Sequence, residues 1–173
     1  DKGKEIYDLI VNTGKDFKLS HCGSHAMDIM RMESGFLHWG HDISPEENQY
    51  QAGLNFAISF KKPFNFIGKE QLQKIKDQKL DRRFAMFILK NSEPGNPLLL
   101  HEEPIYLNDN IIGKTTSGNY SFNYDKNLSF GYIKSDISNE KLKDENIFIE
   151  IEKKKYQAEI LLNPLKQANF KNI

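Results

Sequence analysis

Residues 105–133 read IYLNDNIIGKTTSGNYSFNYDKNLSFGYI, and this run of short segments decides the fold of the second half of the chain. Residues 105–107 and 111–114 are predicted strands around Asn108-Asp109-Asn110, because Asn and Asp tolerate the positive φ of a hairpin turn. Strands at this spacing predict a small antiparallel barrel or sandwich. The other predicted strands are residues 84–89, 120–124, 128–133, 148–152 and 156–162.

The first part of the chain has a helical rhythm. A helix is predicted over residues 3–13, where apolar positions recur at helical spacing and Gly14 is placed to end the helix in a left-handed cap. A second helix is predicted over residues 24–34, with Ser24 capping its start and Gly35 ending it.

Residues 54–60 (LNFAISF) alternate like a strand and are followed by a helix predicted over residues 68–79, with Leu72 and Ile75 facing inward. Because the rhythm changes to short strands at about residue 81, we predict an α+β protein of two domains. Residues 1–80 form a mixed α/β domain, and residues 81–173 form an all-β domain.

Composition excludes several classes of partner. The chain is 38% hydrophobic with a formal net charge of zero, so no global field attracts nucleic acid or a membrane surface. No apolar run approaches the roughly 20 residues of a membrane span. One cysteine excludes an internal disulfide and, with no leader pattern, predicts a reducing, cytoplasmic location. Since the chain starts at Asp1 directly in a helical pattern, we expect it to be part of a longer polypeptide.

Residues 31–53 (RMESGFLHWGHDISPEENQYQAG) contain side chains that a connecting loop does not require. They include Arg31, one of three arginines, and Trp39, the only tryptophan, which lies between two histidines. Arg31 either forms a salt bridge with Asp28 or Glu33, or binds a ligand's carboxylate or flat heterocycle beside the stacking face of Trp39. Asp42 either accepts from ring N–H groups or caps the following turn.

Metal binding and cysteine catalysis are weaker interpretations of the same region. His21 and His25 have the i, i+4 spacing of a helical metal site, but no acidic residue is placed as in HExxH and Cys22 has no partner thiol. We therefore predict no metal site among His21, Cys22, His25, His38, His41 and Asp42. A single cysteine near a helix start is more often a packing residue than a nucleophile.

Three stretches together resemble a known family: CGSHAMDIMRMESGFLHWGHDIS (residues 22–44), QAGLNFAISFKKPFNFIGKEQL (residues 51–72) and the quoted residues 105–133. They resemble the C-terminal part of the glycine cleavage T-protein (aminomethyltransferase) family. The HWG and KTTSGNYS versions are most similar to the C-terminal regions of dimethylglycine and sarcosine dehydrogenases. The resemblance implies that residues 1–80 are the second half of a folate-binding α/β domain, and that the rest is a Greek-key or jelly-roll-like β-barrel.

The resemblance also implies the cofactor and the site. Members of the family pass a one-carbon unit from an amine to tetrahydrofolate, so Arg31 and Trp39 are expected folate contacts, with Trp39 standing where T-proteins usually have tyrosine. Glu33, His38 and Asp42 are expected to support the loop. The family's catalytic aspartate and a folate-binding glutamate lie upstream of residue 1, so we expect no catalytic residue here. FAD is expected only in an upstream domain of the dehydrogenase branch.

Two functions remain after this comparison of motifs. The first is the C-terminal part of a folate-dependent enzyme of methylated-amine catabolism, inactive when isolated and self-associating through the apolar surface of its truncated domain. The second is a non-catalytic folate-binding or interaction module, as in the tRNA-modification and iron–sulfur branch of the family. That branch carries a K-G-C-Y-x-G-Q-E-type motif, which this sequence lacks. A structural domain without a ligand is a third interpretation, which holds only if no pterin binds.

Overall fold

The computed structural model describes residues 2–161, which form four α-helices and six β-strands. A barrel built from the strands occupies the second half, and three of the helices precede it. The helices are α1 (Gly3–Gly14), α2 (Ser24–Glu33), α3 (Lys69–Ile75) and α4 (Asn139–Asp144). The strands are β1 (Arg82–Leu89), β2 (Pro104–Leu107), β3 (Asn110–Ser121), β4 (Lys126–Lys134), β5 (Ile147–Ile151) and β6 (Lys154–Leu161).

The strands close into an antiparallel barrel in the order β1-β4-β3-β2-β5-β6. Strands β2, β3 and β4 follow one another through tight turns, and β5 returns past α4 to pair with β2, which is a Greek-key arrangement. The interior is filled by apolar side chains that include Phe87, Ile105, Ile133 and Ile149. The predicted antiparallel β-barrel is confirmed.

Local sequence signals placed most barrel strands to within two residues of their predicted ends. The hairpin between β2 and β3 is confirmed, with Leu107 opposite Asn110 and Asn108 in the left-handed region at φ 53°. Strands β1, β4, β5 and β6 lie where apolar runs alternate with turn residues. The end of the last predicted strand, Leu162, is outside the described residues.

The prediction of a separate strand at residues 120–124 is wrong. Strand β3 is a single strand of 12 residues that runs through Gly118 to Ser121 before the chain turns. Gly118 does not break the strand. Gly118 lies inside β3 where Leu99 approaches the strand closely. An added Cβ would sit 2.4 Å from the Cγ atom of Leu99, so only glycine fits at this position.

The predicted strand at residues 54–60 is also wrong. Residues Asn55–Ala57 form a 3₁₀ turn, and Phe56 is 82% exposed. The backbone N–H groups here bond to nearby carbonyls, with Leu54 donating to Gln49 at 2.8 Å and Ile58 donating to Asn55 at 3.1 Å. Alternating side chains favour a strand, but a strand forms only where a neighbouring strand accepts its backbone bonds.

The predicted helices are present with different ends. Gly14 is helical, and the chain continues through a 3₁₀ turn to Lys18, which carries the left-handed conformation at φ 57°. Ser24 is the first helical residue and not a side-chain cap, since Gly23 occupies the N-cap position without a capping bond. Helix α3 ends at Ile75, earlier than predicted. Helix α4 was not predicted because its six residues are too few to show a period.

Helix α2 packs on the outside of the barrel. Its Ile29 and Met32 form a buried cluster with Met86 on β1 and with Leu128 and Phe130 on β4. By contrast, no residue of α1 is buried, and its apolar residues Ile6, Leu9 and Ile10 are exposed within the described part of the chain. The first barrel strand begins at Arg82, but α2 and the barrel share a core, so the division into two domains near residue 80 stays a prediction.

The segment after α2 is attached to the barrel at a second point. The Phe84 N–H donates to the Gln51 carbonyl at 2.7 Å, and the Gln51 amide donates to Asp81 at 2.7 Å. This amide hydrogen bond holds the pKa of the Asp81 carboxyl below its usual value. The chain from residue 31 to residue 53 is thereby fixed at both ends against the barrel.

Candidate functional site

Gly35 ends helix α2 and turns the chain back along the barrel. At φ 75° it occupies the left-handed position of a helix C-terminus. The Phe36 N–H donates to the Arg31 carbonyl at 2.9 Å and the Gly35 N–H donates to the Met32 carbonyl at 3.0 Å, which is the bond pattern of a Schellman motif. The predicted role of Gly35 is confirmed, and Arg31 is thereby held one turn from the helix end.

Residues 38–43 form a tight loop that buries one carboxylate. The His38 carbonyl accepts the N–H of Asp42 at 2.9 Å, and the Gly40 N–H donates to the Ile43 carbonyl at 2.8 Å, with Gly40 in the left-handed region at φ 89°. The backbone bonds close the loop around the two histidines and Trp39. The Asp42 side chain points inward and is fully buried.

Asp42 joins the loop, helix α2 and the barrel. Within residues 2–161 its carboxylate accepts four hydrogen bonds. Oδ2 accepts from Arg31 Nη1 at 2.5 Å and from the His38 N–H at 2.9 Å. Oδ1 accepts from the hydroxyls of Thr116 at 2.6 Å and Ser117 at 2.7 Å. The buried charge is therefore compensated on every side, as a stable buried carboxylate requires.

A β-bulge in β3 brings the two hydroxyls to the same carboxylate oxygen. Thr115 pairs with Gly131 and Ser117 pairs with Phe130, which leaves Thr116 as an extra residue without a partner on β4. Successive side chains of a regular strand point to opposite faces, so Thr116 and Ser117 would otherwise diverge. The bulge removes this alternation and aims both hydroxyls at Asp42.

The Arg31 guanidinium is held by four groups and rests on an aromatic ring. Nε donates to Asp28 at 2.7 Å, Nη1 donates to the Phe36 carbonyl at 3.0 Å and to Asp42, and Nη2 donates to the Ser117 hydroxyl at 2.9 Å. Its central carbon lies 5.5 Å from the centroid of the Phe130 ring. Of the two predicted salt bridges, the one with Asp28 is confirmed, and the side chain is 15% exposed.

Glu33 is a separate attachment and does not pair with Arg31. It is buried, and its carboxylate accepts from the Ser121 hydroxyl and from the Asn123 amide at 2.8 Å. Both partners lie at the far end of β3 or just after it. Glu33 therefore ties the last turn of α2 to the barrel, which agrees with a supporting position but not with a place in the cleft.

A cleft of about 560 Å³ opens between helix α2, the loop and the barrel. Arg31 and Trp39, the two predicted ligand contacts, line it together with His38, whereas Glu33 and Asp42 are not among its lining residues. Trp39 is 65% exposed, so its indole face is accessible from the cleft. The other lining residues are Ser24, His25, Met27, Asp28, Phe36, Leu37, His41, Leu100, His101, Thr116, Ser117 and Gly118.

The barrel side of this cleft was missed from the sequence. Leu100 and His101 belong to the loop between β1 and β2, and Thr116 and Ser117 come from the bulge. A weak signal was available in residues 98–101 (LLLH), because three consecutive leucines in a loop are more than the core uses: Leu99 is buried, whereas Leu98 and Leu100 are exposed. The hydroxyl pair had no local signal.

The histidines of the cleft do not assemble a metal site. The His38 and His41 rings lie 4.6 Å apart, centroid to centroid, and are tilted against each other. Among residues 2–161, no three His, Cys, Asp or Glu side chains are grouped as metal ligands. Cys22 is exposed, and His21 contacts Tyr7 at 3.5 Å between Nε2 and the hydroxyl.

Tyr132 of β4 supports the loop from below. Its hydroxyl donates to the Asp42 backbone carbonyl at 2.8 Å, and the residue is buried. Burial raises the pKa of the Tyr132 hydroxyl above its usual value, and the carboxylates of Glu47 and Asp42 act in the same direction. The hydroxyl is therefore protonated at neutral pH and serves the loop as a donor.

Two family models match this chain, and they cover both of its parts. Residues 1–62 match the model described as the GCVT N-terminal domain. Residues 82–166 match the model described as the glycine cleavage T-protein C-terminal barrel domain. None of the helices within residues 2–161 has the length and apolar character to cross a membrane.

Known proteins similar to this chain are longer than it is. Mitochondrial dimethylglycine dehydrogenase of Homo sapiens is 33% identical over 163 residues, which are 92% of this chain and 18% of that protein. Aminomethyltransferase of Halothermothrix orenii is 34% identical over 136 residues, which are 79% of this chain and 37% of that protein. The crystal structure of glycine cleavage system aminomethyltransferase T from Bartonella henselae matches with a TM-score of 0.78 at 21% identity, over 93% of this chain and 44% of that one. The chain thus spans less than half the length of each, and the last match bears on the fold alone.

Proposed function

We propose that this chain, which matches the N-terminal and C-terminal barrel domain models of the glycine cleavage T-protein, is the C-terminal part of a tetrahydrofolate-dependent enzyme of methylated-amine catabolism. Its cleft forms one wall of the folate pocket, and the barrel closes that wall from one side. The relatives whose names give a methylated amine as substrate include dimethylglycine dehydrogenase, sarcosine dehydrogenase and 4-methylaminobutanoate oxidase, and we assign this chain to the branch of the two dehydrogenases.

The cleft beside Trp39 is the observation that carries this proposal. Its volume of about 560 Å³ lies within the range of about 300–1,000 Å³ that is usual for small-molecule sites. An indole face, Met27 and Leu100 offer apolar contact to a flat heterocycle, while Asp28 supplies a carboxylate that accepts from ring N–H groups. The residues present therefore fit a pterin ring at this wall.

Arg31 contributes to this wall with little freedom of its own. A guanidinium has five N–H donors, and those of Arg31 are directed to Asp28, Asp42, Ser117 and the Phe36 carbonyl. We therefore propose that Arg31 meets a folate through its exposed edge and its positive charge, and that Trp39 supplies the larger contact. His38 and Asp42 support these two residues through the loop, and Glu33 ties the last turn of helix α2 to the barrel.

The chemistry of transfer is assigned to groups outside residues 1–173. Tetrahydrofolate accepts the one-carbon unit when it is bound, and the side chains of this cleft bind and orient it. We expect no aminomethyl transfer to tetrahydrofolate by the isolated chain. Measurable turnover by residues 1–173 alone would refute this assignment. A cytoplasmic location stays a prediction, and the human relative is named as a mitochondrial protein.

The pocket is tested by titrating the chain with 5-formyltetrahydrofolate. Trp39 is the only tryptophan, so selective excitation of its fluorescence reports on the cleft. We expect saturable quenching, and unchanged fluorescence up to millimolar ligand would refute the proposal. Two partial ligands locate the contact: 6-methylpterin should quench by stacking, and p-aminobenzoylglutamate should quench less.

A pair of variants separates stacking on Trp39 from nonspecific apolar binding. Calorimetry replaces fluorescence here because both variants remove the tryptophan that reports on binding. Trp39→Phe keeps an aromatic face and should retain most of the affinity, whereas Trp39→Ala should lose it. Leu98→Ala is a matched control, since Leu98 is a similarly exposed apolar residue near the cleft that does not line it. Equal losses in Trp39→Ala and Leu98→Ala would contradict a site at Trp39.

A further inference from the structure

The bulge of β3 holds Arg31 in two ways, directly through Ser117 and indirectly through Asp42. Thr116 and Ser117 donate to Asp42 Oδ1 at 2.6 and 2.7 Å, and Asp42 Oδ2 accepts from Arg31 at 2.5 Å. Ser117 also accepts directly from Arg31 Nη2 at 2.9 Å. Arg31 lies on α2, so its guanidinium is oriented by a strand that is 86 positions away in the chain.

Only two of the four groups that hold this guanidinium belong to helix α2 and the residues directly after it. The bonds to Asp28 and to the Phe36 carbonyl come from residues within five positions of Arg31. The bond to Ser117 comes from the bulge itself, and the bond to Asp42 comes from a carboxylate whose other oxygen accepts from the two hydroxyls of the bulge. The Phe130 ring of β4 lies beneath the guanidinium and adds a flat support from the same barrel wall.

We propose that Thr116 and Ser117 are positioning residues for ligand binding, acting through Asp42 on Arg31. This inference rests on the proposed function, and it goes further by assigning the control of the cleft to the barrel. Without the two hydroxyls, Asp42 Oδ1 is buried with no donor, so its carboxylate turns away from the loop. Arg31 then loses the bonds that fix its plane and meets the ligand in several orientations.

The first test removes the hydroxyls and then restores them. Thr116→Val with Ser117→Ala should weaken 5-formyltetrahydrofolate binding by about tenfold or more, measured by Trp39 fluorescence at a temperature where the variant is folded. Thr116→Ser with Ser117→Thr keeps both hydroxyls and should bind within about twofold of the natural chain. Equal weakening by both pairs would overturn the proposal.

A control on the same strand separates positioning from stability. Ser121 also donates a buried hydroxyl to a buried carboxylate, that of Glu33, but it has no contact with Arg31. Ser121→Ala should therefore lower the melting temperature without changing the dissociation constant. If Ser121→Ala weakens binding as much as the Thr116/Ser117 pair does, the effect is structural and the proposal fails.

A double-mutant cycle tests whether the hydroxyls act through Arg31 or touch the ligand themselves. Arg31→Lys keeps the charge and removes the planar fork. In the Arg31→Lys background, removing the two hydroxyls should cost less than about twofold in affinity, because the group they orient is gone. A full tenfold loss in that background would identify Thr116 and Ser117 as direct contacts and overturn the positioning role.

A measurement without ligand keeps the two proposals distinguishable. The Arg31 Nε–H, which donates to Asp28, gives a side-chain nitrogen signal whose hydrogen exchange reports on the order of the guanidinium. Exchange should accelerate in Thr116→Val with Ser117→Ala and remain unchanged in Ser121→Ala. If the natural chain does not bind 5-formyltetrahydrofolate, the folate proposal fails, and unchanged exchange in the Thr116/Ser117 pair would independently refute the positioning role.

Discussion

Replacing Asp42 with asparagine removes the charge that joins the loop, helix α2 and the barrel. Asparagine has the same shape, so packing is conserved. Its amide nitrogen, however, must face either the Thr116 and Ser117 hydroxyls or the Arg31 guanidinium and the His38 N–H, all of which donate to Asp42 in the native protein. The substitution therefore removes one of the two carboxylates that contact the Arg31 guanidinium, and it turns an amide N–H toward groups that donate in the native protein.

The size of the effect follows from these contacts. A hydrogen bond to a charged group contributes about 1.5–3 kcal/mol, and removing one partner of a buried ion pair costs about 3–5 kcal/mol. The contacts are not additive, because Arg31 retains Asp28 and the hydroxyls can turn. We expect Asp42→Asn to lower the free energy of unfolding by about 3–5 kcal/mol.

Urea unfolding followed by circular dichroism measures this change. With a slope of about 2 kcal/mol per molar urea, the midpoint should fall by about 2 M. Glu33→Gln is the matched control, since Glu33 is the other buried carboxylate of this surface and its partners are the neutral Ser121 hydroxyl and Asn123 amide. Because Glu33 pairs with no cation among the described residues, Glu33→Gln should lower the free energy of unfolding by only about 1–2 kcal/mol.

A local probe accompanies the global one. The His38 N–H donates to Asp42 Oδ2 at 2.9 Å, so its hydrogen exchange should accelerate in Asp42→Asn and not in Glu33→Gln. The reasoning is refuted if Asp42→Asn costs no more than Glu33→Gln, or if exchange at His38 is the same in both variants. Either result would mean that the buried charge does not hold the loop.

Three further predictions follow from packing, burial and exposure. Gly118→Ala should lower the free energy of unfolding by about 1–3 kcal/mol because its Cβ would lie 2.4 Å from Leu99, whereas Gly23→Ala meets nothing within 4 Å and should be neutral; equal melting temperatures would contradict this. Burial raises the pKa of the Tyr132 hydroxyl in the folded protein above its unfolded value near 10, so the stability that this hydroxyl contributes is present below about pH 10 and is lost as pH rises. Tyr132→Phe should therefore flatten the decline of the urea midpoint at alkaline pH. An unchanged decline would assign the effect to another group. The exposed apolar face of α1 should make the chain self-associate, and Leu9→Glu should restore a monomer in sedimentation; a monomeric natural chain would exclude this surface as an interface.

Much of the barrel was predictable because its signals are local. Asn108 and Asp109 mark a turn by their tolerance of positive φ, and the strands beside them alternate over a few residues. The segment around Phe56 carries the same alternation without forming a strand. Its backbone N–H groups form hydrogen bonds to nearby carbonyls, and the sequence of the segment does not indicate whether a partner strand lies beside it.

The candidate site was half predictable for the same reason. Arg31 and Trp39 stood out because a connecting loop needs neither residue type, and the structure places both at one cleft. The second half of the site comes from a contact between Asp42 and Ser117, which are 75 positions apart. Such a pairing depends on the bulge at Thr116, and a bulge is a property of two paired strands and not of one sequence segment.

Barrel closure determines when this cleft is assembled during synthesis. Strand β6 is the last described strand, and it closes the barrel by pairing Leu161 with Met86 of β1. Leu161 also packs against the cluster on which Ile29 and Met32 of α2 rest. Helix α2 leaves the ribosome early, but the surface on which it packs is complete only when Leu161 has emerged. A pause in translation before β6 therefore exposes the unpacked helix to chaperones and proteases.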